Sequence, residues 1–186
     1  VSGSDEKKLW FVRHGETVWN EKGLISGWTD VPLTVGGEAQ AVSLRPRLAR
    51  QSFTSVWASD LQRARSTADL AHGSHQIDPR LRELYFGAWE GVSWEGLEDS
   101  LKEKLLQFDG FCAPDGEHVD TLRRRVLEFI DELPAGTHLL FVHAALIRMI
   151  LREVGADKYL PPTSVVAIDW TRRTLEFIEE GPEGAA

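Results

Sequence analysis

An arginine and a histidine stand side by side where an apolar run stops. Leu9, Trp10, Phe11 and Val12 are followed at once by Arg13, His14, Gly15, Glu16 and Thr17. Four unbroken apolar residues read as a strand buried on both faces of a sheet. In an open α/β sheet, ligands bind at the carboxyl ends of the strands, so a cation beside an imidazole there suits an anion. A second run, residues 139–142, ends in the same way on His143 and puts two histidines on one edge. Residues 59–68, SDLQRARSTA, bring another cation. Ser59 and Gln62 have capping-box spacing, which predicts a helix directly after a strand at 56–58, with Arg63 in its first turn. Helical side chains lean toward the N-terminus, so Arg63 turns to the edge that carries His14, where the helix end itself favours anions. Arg65 projects from a different face and reads as solvated.

The elements that must position these groups follow from periodicity and punctuation. Thr17 can cap a short helix after the first strand. Residues 24–33, LISGWTDVPL, form a loop marked by Ser26, Gly27, Asp30 and Pro32. Thr34 caps a helix running to about residue 50, with Ala39, Val42, Leu44 and Leu48 as its stripe and Pro46 expected to kink or divide it. Gln76 and Ile77 give a third strand, and residues 81–91, LRELYFGAWEG, a tight and partly buried loop. A helix is predicted over 93–108. A second, carrying Val119, Leu122, Val126, Phe129 and Ile130, ends before Pro134, and a third follows His143. Residues 165–170 and 174–178 make a terminal hairpin that adds antiparallel strands. The expected fold is one domain over 1–186: a three-layer α/β/α sandwich with a mixed, mainly parallel sheet. Its ordered core spans about 9–180, and the polar ends 1–8 and 181–186 are expected to be poorly ordered.

The string RHGET after an apolar strand resembles the signature of the histidine phosphatase superfamily, also called phosphoglycerate mutase-like, in which that histidine becomes phosphorylated. The likeness runs from Leu9 to Trp170. It implies a catalytic set of His14, Arg13, Arg63, Glu83 and His143. Arg63 matches an arginine that contacts the phosphoryl group. Glu83 matches the family's acid in a context like ExxFGxWEG, with Glu90 as the competitor. A stretch like SGWxDxPLT lines the phosphate pocket in the family, which makes Asn20, Ser26 and Gly27 substrate-binding positions. Two departures stand out. Ala144 follows the second histidine where glycine is common, which bears on pocket size, and His118 replaces the serine of a GES loop.

Bulk properties narrow the remaining classes. The chain has 186 residues, a net charge of −8 and a single cysteine, Cys112. A strongly acidic balance argues against nucleic-acid and acidic-membrane binding, so any anion site is local. One cysteine allows no intrachain disulfide, and with no signal core or membrane-length apolar run a cytoplasmic home is expected. Cys112 itself reads as a buried, inert thiol. The dispersed His72, His75, His118 and His138 lack zinc-site spacing, and neither GxxxxGK[ST] nor GxGxxG occurs.

The resemblance therefore implies a metal-independent phosphomonoester hydrolase of the histidine acid phosphatase type, acting through phospho-His14 on a small phosphorylated metabolite. It would work without a cofactor, as a monomer or homodimer. The close alternative is a phosphoglycerate mutase that needs 2,3-bisphosphoglycerate and could recruit Arg80 and Arg82 for a second phosphate. A non-catalytic module that binds phosphorylated partners is the third reading.

Overall fold

The computed structural model describes residues 5–182. Six strands form one sheet: β1 (Lys7–Arg13), β2 (Ser55–Ala58), β3 (Gln76–Ile77), β4 (Gly136–Val142), β5 (Val165–Asp169) and β6 (Thr174–Glu179), in the order β3-β2-β4-β1-β5-β6. β1, β4, β2 and β3 run parallel, while β5 lies antiparallel to β1 and β6 antiparallel to β5. The expected mixed α/β sheet is therefore present. Its parallel part matters most for chemistry, because it brings the carboxyl ends of β1, β2 and β4 to one edge.

Alternation along the central strands builds the three layers. Leu9 and Phe11 of β1, with Leu140 and Val142 of β4, face a core shared with α6 (Val119–Glu132) and α7 (Ala144–Arg152). Trp10 and Val12, with Leu139 and Phe141, face the other way against α4 (Gln62–Ala71) and the Leu44–Leu48 segment. Both faces of the sheet are covered, which is why these strands read as unbroken apolar runs. None of the described helices is long and apolar enough to cross a membrane.

Thr17 caps α1 (Val18–Glu21) and Thr34 caps α2 (Val35–Ser43), as expected. The helix predicted to run on to residue 50 is divided: Leu44 ends α2, and α3 (Arg45–Leu48) carries Pro46 in its first turn, where a missing N–H costs nothing.

Several expectations need correction. Ser59 is not the helix cap: Leu61 holds that position, and the Ser59 hydroxyl accepts from the Leu61 N–H at 3.3 Å, short of the helix. α4 starts at Gln62, whose N–H is accepted by Asp30 Oδ1 at 2.8 Å, so the cap comes from a distant loop. The helix predicted from residue 93 begins later, as α5 (Asp99–Gln107). Its intended first turns are occupied: the carbonyl of Val92 and the N–H of Trp94 bond to Ile25 and Gly23 at 2.9 Å each. Cys112 is exposed, since Phe111 and Ala113 on either side turn inward and alternation turns it out. At the N-terminus, Lys7 and Lys8 belong to β1. Residues 1–4 and 183–186, expected to be poorly ordered, lie outside the described residues.

Candidate active site

His14 follows β1 directly, with its N–H on the Val142 carbonyl at 3.0 Å, and His143 follows β4 at the position before α7. Because β1 and β4 are adjacent and parallel, the two imidazoles meet, with ring centroids 5.3 Å apart and planes inclined by 59°. The Nδ1 atom of His14 lies 2.7 Å from the Gly15 carbonyl, an acceptor only. It must therefore carry the proton, and Nε2 is left with a free lone pair. Burial and the charges of Arg63 and Arg13 hold this imidazole well below its usual pKa, so it is neutral.

The loop after β1 is shaped by contact with α2 and α4. A Cβ on Gly15 would lie 2.4 Å from the Gly37 carbonyl oxygen, so only glycine allows the RHG turn to pack there. Thr67 of α4 ties the same turn down, accepting from the Gly15 N–H at 3.0 Å and donating to the Arg63 carbonyl at 2.7 Å. Arg63, in the first turn of α4, is fully buried, and its Nη2 and Nη1 donate to the carbonyls of Gly27 and Thr29 at 2.6 and 3.1 Å. Burial pushes its pKa down to about 10, which still leaves it charged at neutral pH. Arg13 donates from Nη1 to the Leu160 carbonyl, and its guanidinium lies 5.0 Å from the centre of the Tyr159 ring.

Glu83 is only 5 % exposed. Its carboxyl accepts from the Leu84 N–H at 2.8 Å and from the Ala145 N–H in the first turn of α7 at 3.1 Å. Burial raises its pKa in spite of those two donors and the nearby arginines. The competitor Glu90 is engaged elsewhere: one of its oxygens accepts from the N–H groups of Gly27 and Thr29 at 2.8 and 2.9 Å. It is the strut under the loop that holds Arg63. A Cβ on Gly27 would meet that same oxygen at 2.6 Å, so the loop can rest there only with glycine.

The site contains an imbalance found nowhere else among the described residues. The buried side-chain polar atoms that lack a hydrogen-bond partner are Arg13 Nε, Arg63 Nε and both ring nitrogens of His143. All four belong to the five residues singled out above. With His143 neutral these atoms amount to three donors and one acceptor. Leaving a buried donor unmade costs about 1–3 kcal/mol, so the three together favour a ligand that accepts hydrogen bonds. Burial, with Arg63 and His14 beside it, holds the His143 pKa well below its usual value. An incoming anion has the opposite effect.

The second set of candidates is distributed less evenly. Gly27 supplies the carbonyl for Arg63, Ser26 is half-buried beside it, and Ala144 opens α7 next to His143. Asn20 completes the cap of α1 through Oδ1, which accepts from the N–H and hydroxyl of Thr17 at 3.0 and 2.9 Å. His118 caps α6 through Nδ1, which accepts from the Asp120 N–H at 3.1 Å. Sequence reasoning missed Thr67, Glu90 as a strut, Asp30 as a cap, and Arg125. Arg125 was findable: it lies three residues after Leu122 and four before Phe129, on the core-facing side of α6, unlike Arg123 and Arg124.

Paired strand-end histidines, two buried arginines and a buried acid thus meet at one site on a three-layer α/β sandwich. The model of the histidine phosphatase superfamily (branch 1) matches residues 9–179, and the chain belongs to that family. A curated relative from Yersinia enterocolitica, named "Probable phosphoglycerate mutase GpmB", is 40% identical over 146 residues, covering 73% of this chain and 68% of its own. The crystal structure of phosphoglycerate mutase from Thermus thermophilus superposes with a TM-score of 0.85 at 47% identity, over 92% of this chain and 97% of the other. A structure from Escherichia coli titled "putative alpha-ribazole-5'-P phosphatase" gives a TM-score of 0.74 at 28% identity, over 97% of this chain and 99% of the other.

Proposed function

We propose that this protein hydrolyses the phosphomonoester of a small metabolite through phospho-His14, without a metal or cofactor. The observation that carries the reading is the set of unpartnered buried donors on Arg13, Arg63 and His143 around a His14 whose tautomer leaves Nε2 free. Phosphoryl transfer needs little beyond positioning and the stabilisation of charge on the equatorial oxygens, and two guanidinium groups with an imidazole supply that. His14 Nε2 forms the bond to phosphorus as the ester P–O bond breaks. Glu83, whose raised pKa favours its protonated form, gives its proton to the departing alkoxide. Water then attacks the phosphohistidine, its proton goes to the Glu83 carboxylate, and inorganic phosphate leaves with His14 restored.

The names of the relatives favour a second reading, a phosphoglycerate mutase primed by 2,3-bisphosphoglycerate. A mutase must hold a bisphosphorylated intermediate, which calls for cations beyond the first phosphate site. Arg80 and Arg82 are the nearest candidates in sequence. Arg80 forks onto Glu132 at 2.7 and 2.8 Å and also holds Asp78, and Arg82 forks onto Asp60 at 2.8 and 2.6 Å. With both neutralised by carboxylates, hydrolysis is the better-supported reaction. The test incubates the enzyme with 3-phosphoglycerate and a trace of 2,3-bisphosphoglycerate, following 2-phosphoglycerate and free phosphate separately, beside a panel of other phosphate esters. Hydrolysis of esters without isomer exchange is expected. Interconversion that outruns phosphate release by orders of magnitude would replace this reading with the mutase.

A further inference from the structure

Arg125, on α6, touches none of the five catalytic side chains, yet its guanidinium is engaged almost wholly with the segment that carries Glu83. Nη1 donates to the carbonyls of Arg80 and Arg82 at 2.6 and 2.8 Å, and Nη2 to the carbonyl of Glu83 at 2.8 Å. Nε and Nη2 also fork onto Glu117 at 2.8 Å each. Glu117 in turn brackets the next residues: its carboxylate accepts from the Tyr85 N–H at 3.3 Å, and its own N–H donates to the Tyr85 carbonyl at 2.8 Å. The side chains of the pair are only 15 % and 8 % exposed.

One peptide unit is the focus of this arrangement. The carbonyl of Glu83 is held from two directions, by Arg125 Nη2 and by the indole N–H of Trp28 at 2.8 Å. The N–H of the same peptide plane, on Leu84, is the group that binds the Glu83 carboxyl at 2.8 Å. A peptide unit is rigid and planar, so fixing its carbonyl fixes the direction of its N–H. Three carbonyls converge on one largely buried cation, and a structural role alone does not require that they flank the acid.

We propose that Arg125, backed by Glu117, is a positioning residue for proton transfer: by locking the Glu83–Leu84 peptide plane it aims the Glu83 carboxyl at the leaving oxygen of the substrate. The inference rests on the assignment of Glu83 as proton donor in the hydrolase reading. A shift of about 1 Å in a reacting group costs on the order of 10²-fold in rate, so releasing that plane has a kinetic signature. Loss of aim affects only esters whose leaving group needs a proton.

The test measures kcat/KM for an alkyl phosphate and for p-nitrophenyl phosphate, whose leaving group departs unprotonated, in the wild type, Glu83→Gln, Arg125→Met and Arg125→Lys. The alkyl-to-aryl ratio is expected to fall at least about tenfold in Arg125→Met. The fall should be smaller in Arg125→Lys, and there should be none on adding Arg125→Met to Glu83→Gln. Glu117→Gln, which keeps volume but removes the charge and one of the two oxygens that accept the fork, carries the same comparison if Arg125→Met does not fold. Equal losses on both esters in the Arg125 and Glu117 variants, with a selective loss in Glu83→Gln, would overturn the positioning role and leave the hydrolase reading intact. An unchanged ratio in Glu83→Gln itself would remove Glu83 as the donor, and the inference with it.

Discussion

His138 and His143 lie in and just after the same strand, β4, and both are fully buried. His138 has both ring nitrogens paired, with the Ser55 hydroxyl at 2.7 Å and the Pro134 carbonyl at 2.9 Å, while His143 has neither. The first sits toward the amino end of the strand, where it completes the packing of β4 on β2. The second sits at the carboxyl end, facing His14 and two arginines. Both rings are closed to solvent and the residue type is the same, although His143 lies deeper, so exclusion from solvent does not by itself separate a structural histidine from a functional one. What separates them is whether the hydrogen-bonding capacity is met within the protein: the His138 ring is satisfied by protein groups, whereas the His143 ring is open to a partner from outside.

The contrast breaks or holds on a pair of substitutions. His143→Asn is expected to reduce kcat by about 10²- to 10⁴-fold, with little loss of thermal stability, since no internal hydrogen bond is removed. His138→Asn is expected to do the reverse, lowering stability by about 1–3 kcal/mol through the partners it leaves unmet while ester hydrolysis stays close to wild type. A stability loss of equal size at both positions, measured by thermal and urea unfolding, would collapse the distinction.

A smaller effect sharpens it through pH. Burial lowers the pKa of His14, His138 and His143 in the fold, so on acidification the unfolded chain takes up protons that the fold refuses. Stability should therefore fall as pH drops from about 6.5, the unfolded histidine value, toward the lower folded values. Glu83, with its pKa raised, has the opposite sign: the fold holds its proton more tightly, so acidification through the carboxylate range favours the fold. Inorganic phosphate, by favouring protonated His143, should flatten the histidine part of the curve in the wild type. In His143→Asn the remaining slope, to which His138 still contributes, should respond to phosphate much less. Midpoints of unfolding across pH, with and without phosphate, check this.

The fold, and the meeting of His14, Arg13, Arg63, Glu83 and His143 at one buried site, were legible in the sequence because each is announced locally. An apolar run that stops on a histidine states both the strand and the end of it, and this works at Val12–His14 and again at Val142–His143. Pro46 announced the break between α2 and α3 in the same way. Capping at a distance was not legible. Ser59 and Gln62 have the right spacing, yet the chain enters α4 through Leu61 and Asp30 supplies the cap from another loop. The start of α5 was lost for a related reason, since residues 92–94 commit their backbone groups to residues 23–25. Around the site, Asn20 has the position of a phosphate contact and does the work of a helix cap. Of the groups around the site, Arg125 could be found from its place on the core-facing side of α6, whereas Thr67, Glu90 and Trp28 act through contacts between elements far apart in the chain, which no local pattern encodes.

The most direct test of the account is to trap the intermediate. Enzyme turning over p-nitrophenyl phosphate is quenched in alkali, where phosphohistidine survives, and the peptides are mapped by mass spectrometry. The account predicts a phosphoryl group on His14, formed and lost on the time scale of turnover and absent from His14→Ala, which should be inactive. Turnover at the wild-type rate in His14→Ala, or a phosphoryl group found only on another residue, would contradict it.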